Sequence, residues 1–287
     1  MSQRLSPSNR RELLRSVAEE TKTLLPNILA LRPQDPPTGI YLQRERIRAL
    51  GSRYNPNLSA QVEVVNADTF DTAIRLANSP GTPNGTDAKK VCVLNMASEK
   101  HAGGGWLRGA LAQEEELCYR SSLSFTLKRR FYPIRDNDAL YSPNVVIFRE
   151  GFTNGHRLMD LQRPELLPAV SVISIAALRR PSVNHRLSPP AYVRPADRET
   201  MKDKMRSILR IAAFNKHRKL VLGALGCGAF ANPKEEVANC WAAVLREPEF
   251  QGWWENIVFA VLDNTAHLTN SDGNFDTFHS TLHGLRL

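Results

Sequence analysis

A chain of 287 residues, 42% hydrophobic and 23% charged, is long enough to bury one large core, and the expectation is one domain with extensions. No apolar run approaches the ~20 residues of a membrane span, and the start is polar without a signal core, so the chain is expected to be soluble and intracellular, in nucleus or cytoplasm. A net charge of +9 suits a polyanionic partner, although beyond Lys128–Arg130 and Lys216–Lys219 the excess is spread thinly, and such runs are ordinarily solvated faces.

Along residues 10–25 the side chains Leu13, Leu14, Val17, Thr21, Leu24 and Leu25 recur at helical spacing, and Asn9 with Glu12 fits a capping box. An amphipathic N-terminal helix is expected. Pro26, Pro33, Pro36 and Pro37 then interrupt regularity, so residues 1–60 read as a partly helical arm laid over a main domain at 61–287. From residue 61, short apolar runs at 62–65, 91–94, 145–148, 170–175, 220–225 and 257–262 alternate with helical stretches at 69–77, 114–128, 197–215 and 234–245. That alternation predicts an α/β sheet with helices on both faces. Residues 179–195 hold four prolines and no clear period, the pattern of a long surface loop.

Cys92, Cys118, Cys227 and Cys240 show no metal-ligand spacing and read as free thiols of the core. The seven histidines form no HExxH and are assigned to loops and surface, so no metal and no cofactor is expected. Trp253 and Trp254 precede a strand and read as core or interface aromatics.

Two glycine loops carry the chemistry. After the run 91–94 come His101, Ala102, Gly103, Gly104, Gly105 and Trp106; glycines lack a Cβ, which lets the backbone approach a ligand and adopt positive φ. Seven residues later Gln113, Glu114, Glu115 and Glu116 open a helix, where the positive helix end favours carboxylates with or without a function. Three adjacent like charges repel, which is expected to raise one carboxyl toward the range of a general acid. The second loop, Gly226, Cys227, Gly228, Ala229 and Phe230, follows the run 220–225 and precedes Asn232, Pro233 and Glu235, a helix start with Asn as N-cap. Free N–H groups at such a junction suit a phosphate, while a plain tight turn fits equally. Neither loop has P-loop or dinucleotide spacing, and no GxSxG elbow occurs.

Gly103–Gly105, a seven-residue spacer and Gln113–Glu115 resemble the GGG-x(6–8)-QEE motif of poly(ADP-ribose) glycohydrolases of the compact microbial type. Tyr141–Val145 before a strand and Gly223–Phe230 after one extend the resemblance over residues 61–265. It implies a macrodomain-like mixed sheet and hydrolysis of ribose–ribose bonds in poly(ADP-ribose), with Glu115 as acid/base and Glu114 orienting the ribose. It also implies a diphosphate held by Gly226, Gly228 and Ala229, and Phe230 beside the terminal ribose, for which a core phenylalanine is the equal alternative. Asp68 would accept from the adenine amino group and Asn95 would lie near the distal ribose, although a helix N-cap and a strand-ending turn explain these two equally well. Ala102 departs from the proline common before the three glycines. The partners implied are poly(ADP-ribose), ADP-ribosylated proteins and the product ADP-ribose, met by a monomer in the DNA damage response. The alternatives are a non-catalytic ADP-ribose reader and a hydrolase acting on ADP-ribosylated side chains or DNA; the paired glutamates favour catalysis.

Overall fold

The computed structural model describes residues 6–79, 89–263 and 273–287. In chain order the elements are α1 (Pro7–Ala30), β1 (Ile40–Leu42), β2 (Val62–Val65), α2 (Thr69–Ala77), β3 (Cys92–Met96), α3 (Gln113–Arg120), α4 (Leu123–Thr126) and β4 (Ala139–Val146). There follow β5 (Ala169–Ile175), β6 (Val183–Asn184), β7 (Ala191–Tyr192), α5 (Pro195–Phe214), β8 (Lys219–Leu222), α6 (Lys234–Leu245), β9 (Asn256–Ala260) and α7 (Asn274–Leu282). A seven-stranded mixed sheet runs β1-β4-β5-β3-β8-β9-β2, antiparallel where β4 meets β1 and β5 and parallel elsewhere.

Successive strand residues point to opposite faces, and the core divides accordingly. Val93, Val172, Val221 and Val258 pack with Leu14, Phe70, Ala73 and Leu117 of α1, α2 and α3. Leu94, Ile173, Leu222 and Phe259, each one residue further on, pack with Met205, Ile208, Trp241 and Phe278 of α5, α6 and α7. With both faces covered, the strands are apolar at nearly every position, which is why short apolar runs located them. The mixed α/β architecture is the one expected of a macrodomain-like fold. No described helix is long and apolar enough to cross a membrane.

Several local expectations change. The first helix begins at Pro7 under Ser6, whose hydroxyl accepts from Asn9 N–H at 3.2 Å, so Asn9 and Glu12 form no capping box. It also runs through Pro26 to Ala30, because Leu25 and Ile28 on either side are buried against Phe148 and Leu167, packing that offsets the ~3 kcal/mol cost of an interior proline. The stretch 114–128 is two helices. Ser121 is extended and bridges to Ile147, and Ser122 N–H donates to Val146 O at 2.9 Å, so pairing with β4 interrupts the helix. Tyr141–Val145 lie inside β4, where a register shift between Ser142 and Val145 accommodates Pro143. The loop 179–195 contains the ribbon β6–β7.

Two histidines are buried rather than exposed: His156 sits 2.8 Å from a Glu116 oxygen, and His217 sits 2.8 Å from Tyr141 Oη and 2.9 Å from Lys90 O. His267 lies outside the described residues. The four cysteines are free, with Cys92, Cys118 and Cys240 buried and Cys227 half-buried. Trp253 and Trp254 are core residues.

Candidate active site

The two glycine loops leave the carboxyl ends of β3 and β8, parallel neighbours in the sheet. Open α/β sheets hold ligands at that edge. Gly103 and Gly104 take φ of 71° and 60°, the left-handed region. A Cβ on Gly103 would meet Cys118 Sγ at 2.9 Å, and one on Gly104 would run into the carboxylates of Glu115 and Glu114. The glycines therefore serve first to let the loop lie directly on the acidic turn. Gly104→Ala is expected to lower kcat roughly 10²-fold by displacing these carboxylates, with a smaller change in product affinity; steady-state kinetics and ADP-ribose titration check it.

At the start of α3 the four polar residues have separate environments. The Gln113 amide is engaged internally, accepting from Met96 N–H at 2.9 Å and donating to Leu94 O at 2.7 Å and Thr69 Oγ1 at 3.4 Å. That clamps the helix start to the end of β3. Glu114 is buried; its Oε2 accepts from Ser98 N–H at 2.7 Å, and Oε1 lies 3.5 Å from Asn95 Nδ2. Burial pushes the Glu114 carboxyl up to about 8, opposed by the Ser98 N–H and reinforced by the neighbouring Glu115 charge. One carboxyl of the cluster is thus raised as expected, but desolvation rather than repulsion is the larger cause. Glu115 Oε1 accepts from Gly105 N–H at 2.7 Å, and its second oxygen has no protein partner among the described residues. Glu116 is turned away, accepting from Phe152 N–H at 3.0 Å and pairing with His156.

Asn95 is fully buried, donating to Ser174 Oγ at 2.9 Å, and its Oδ1 has no partner. Asp68 caps α2, its Oδ1 accepting from Phe70 N–H at 2.7 Å and Asp71 N–H at 3.1 Å, and the same oxygen pairs with Arg120. Arg120 is fully buried; it also pairs with Asp71 at 2.6 Å and donates to Arg149 O at 3.1 Å. This arginine ties Asp68 to the glutamate helix. The sequence signal was its place one turn after Glu116 on an otherwise acidic helix. Tyr132, whose hydroxyl is buried without a partner, also reaches the site's surroundings; burial first and then the Glu114 charge push its phenol up. Nothing in the sequence marked it.

In the second loop Gly226 has φ 79°, and a Cβ there would strike Ala177 and the Asn232 amide. Asn232 is not the helix cap: α6 starts behind Pro233 with no side-chain cap. Its buried amide instead donates to Leu178 O at 2.7 Å and Gly226 O at 3.1 Å, and accepts from Tyr192 Oη at 2.9 Å. Asn232→Ala would orphan these groups and is expected to cost about 1–3 kcal/mol in urea unfolding. Gly228 faces open space and Ala229 is exposed. Phe230 is half-buried against the core, with the Arg179 guanidinium 6.0 Å from its ring centre. Arg179 also reaches Glu99 at 3.3 Å, so it links the ribbon loop to both glycine loops.

Residues 15–150 match the family model described as microbial-type PARG, catalytic domain. No curated protein sequence matches the chain. Among solved structures, poly(ADP-ribose) glycohydrolase (PARG) from Thermomonospora curvata is 25% identical with a TM-score of 0.74, covering 94% of this chain and 100% of that one. That enzyme has also been solved bound to the inhibitor ADP-HPD. The PARG from Deinococcus radiodurans in complex with ADP-ribose is 29% identical with a TM-score of 0.67, covering 91% of this chain and 98% of that one. The matched catalytic segment and the shared architecture, together with the glycine loop lying on its paired glutamates, make the chain similar to the microbial-type PARGs of Thermomonospora curvata and Deinococcus radiodurans.

Proposed function

We propose that this protein hydrolyses the ribose–ribose O-glycosidic bonds of poly(ADP-ribose) from chain ends, releasing ADP-ribose, with Glu115 as the single general acid/base. The observation that carries the reading is the Glu115 carboxyl, one oxygen held by Gly105 N–H at 2.7 Å and the other free of protein partners among the described residues, beside a buried Glu114. The Thermomonospora enzyme's complex with ADP-HPD and the Deinococcus enzyme's complex with ADP-ribose support the ligand class.

In this mechanism the carboxylic acid of Glu115 gives its proton to the glycosidic oxygen as the C1″–O bond breaks. Water then attacks the oxocarbenium-like ribose and returns a proton to the Glu115 carboxylate. Glycosidase carboxylates acting from opposite sides of a sugar stand ~5–9.5 Å apart, whereas Glu114 and Glu115 flank the same glycine, Gly104. One group therefore serves both proton transfers, and Glu114 holds the ribose hydroxyls. The N–H groups of Gly226, Gly228 and Ala229 hold the diphosphate, a positioning contribution, while Gly103–Gly105, with the Gly104 and Gly105 N–H groups committed to His101 O and Glu115, give the close backbone contact beside the reacting ribose. Phe230 lies against the terminal ribose and Asn95 near the distal one; Asp68 accepts from the adenine amino group through Oδ2, which its cap and Arg120 leave free. The protein acts as a monomer on ADP-ribosylated proteins.

The direct test is incubation with long poly(ADP-ribose) and analysis of the earliest products. ADP-ribose monomer without oligomers of intermediate length is the expected result. Tight ADP-ribose binding with no hydrolysis would instead identify a reader. Because Leu14, Val17 and Leu25 of α1 are core residues, deleting residues 1–25 would test folding before cleavage mode.

A further inference from the structure

Beside the glutamates a cleft of about 510 Å³ opens on the outer side of the first glycine loop, and its wall includes Lys100, Arg108, Arg129, Tyr132 and the glycines Gly104 and Gly105. No carboxylate lines it. Asp68, Asn95 and the second glycine loop, which the proposed reading gives to the terminal ADP-ribose unit, are also absent from its wall. The Lys100, Arg108 and Arg129 side chains are exposed and have no ion-pair partner among the described residues. Some exposed cations elsewhere are paired, as Arg75 is with Glu63 and Arg157 with Glu150, and others such as Arg10, Arg46 and Arg186 are not, among the described residues; what sets Lys100, Arg108 and Arg129 apart is that they share one cleft wall. A cluster of unpaired cations is unfavourable through mutual repulsion unless an anion joins it.

The cations are also held in place. Arg108 ends a tight turn, Trp106–Arg108, closed by the left-handed Gly109. Trp106 packs in one cluster with Leu14 and Val17 of α1, and the α1 backbone at Arg11 lies so close over Gly109 that no Cβ would fit there. Arg129 opens the turn Arg129–Phe131, and Lys100 N–H bonds Ser98 Oγ at 3.2 Å on the loop that also feeds Glu114.

We infer that Lys100, Arg108 and Arg129 form a subsite for the diphosphate of the ADP-ribose unit on the leaving side of the scissile bond, so that the enzyme grips the polymer on both sides of Glu115. This rests on the poly(ADP-ribose) hydrolase reading. Continuity with the Glu115 turn favours the polymer over nucleic acid: Gly105, whose N–H holds Glu115, is itself part of the cleft wall. The N-terminal helix then has a role on the leaving side, seating the Arg108 turn.

The test compares wild type with the Lys100→Ala/Arg108→Ala/Arg129→Ala triple variant, whose exposed substitutions leave the core intact. Measured are KM and kcat on poly(ADP-ribose), kcat/KM on an ADP-ribosyl substrate with an uncharged leaving group, the Kd of ADP-ribose, and anisotropy of end-labelled polymer and of single-stranded DNA. Expected are a rise of at least tenfold in polymer KM and Kd, unchanged values for the uncharged substrate and ADP-ribose, and a salt slope for polymer binding reduced by about 2. Polymer affinity within twofold of wild type overturns the subsite, as does an equal loss for ADP-ribose. A larger loss for DNA than for polymer reassigns the cleft to nucleic acid. Polymer binding is readable without turnover, so a wild type that binds polymer through these residues but releases no ADP-ribose refutes the hydrolase reading alone.

Discussion

Glu115→Gln is expected to lower kcat on poly(ADP-ribose) by 10²–10⁴-fold, the usual contribution of a positioned general acid/base, while ADP-ribose affinity changes less than about threefold. The asymmetry follows from the geometry. One Glu115 oxygen is already committed to Gly105 N–H, and an amide oxygen can keep that bond and hold the loop. What glutamine cannot do is give a proton to the departing ribose oxygen and take one back from water. Single-turnover rates and calorimetric titration of ADP-ribose, with near-ultraviolet circular dichroism as a check on folding, measure both sides of the expectation. A Glu115→Gln protein that retained a tenth or more of the wild-type rate would remove Glu115 from the role, and Glu114 would be the next candidate.

The second large effect concerns Glu114 and pH. Its carboxyl lies at about 8 in the folded protein against an ordinary 4.5, chiefly because the group is 4% exposed. The folded state therefore holds a proton that the unfolded chain releases. The associated stability is fully present below about 4.5, falls as the pH rises, and is lost by about 8, a change of up to ~5 kcal/mol. Urea unfolding at pH 5, 7 and 8.5 is expected to show wild type weakening over that window and Glu114→Gln nearly flat, the variant being the more stable at pH 8.5. Parallel pH profiles for the two proteins would overturn the assignment. A protonated Glu114 also has a hydrogen to give. In its neutral form Glu114 carries a hydrogen-bond donor as well as acceptors.

The electrostatic difference was only half legible in the residue order. Three consecutive glutamates announce repulsion, but which of them is desolvated depends on what covers each. Glu114 is covered by the chain at Asn95 and Ser98, while Glu116 is drawn off by His156, forty residues along the chain. Helical spacing separates the three side chains, yet it does not say which direction is buried.

The sheet and the two loops are legible in the order of the residues alone. Strands covered on both faces must be apolar throughout, so the runs at 170–175 and 257–262 mark β5 and β9 closely. Glycines at Gly103, Gly104 and Gly226 stand where positive φ is required. The remaining features involve partners distant in the chain. Ser121 leaves the helix because Ile147 pairs with it, and α1 continues through Pro26 because Phe148 and Leu167 receive its far end. Asn232 staples the second loop to Leu178 and Tyr192 instead of capping its own helix. Arg120 joins Asp68 to α3, and Lys100, Arg108 and Arg129 meet in one cleft. Local backbone preference and burial period are written residue by residue, whereas a hydrogen bond or a charge cluster between remote segments exists only after the fold has closed the distance.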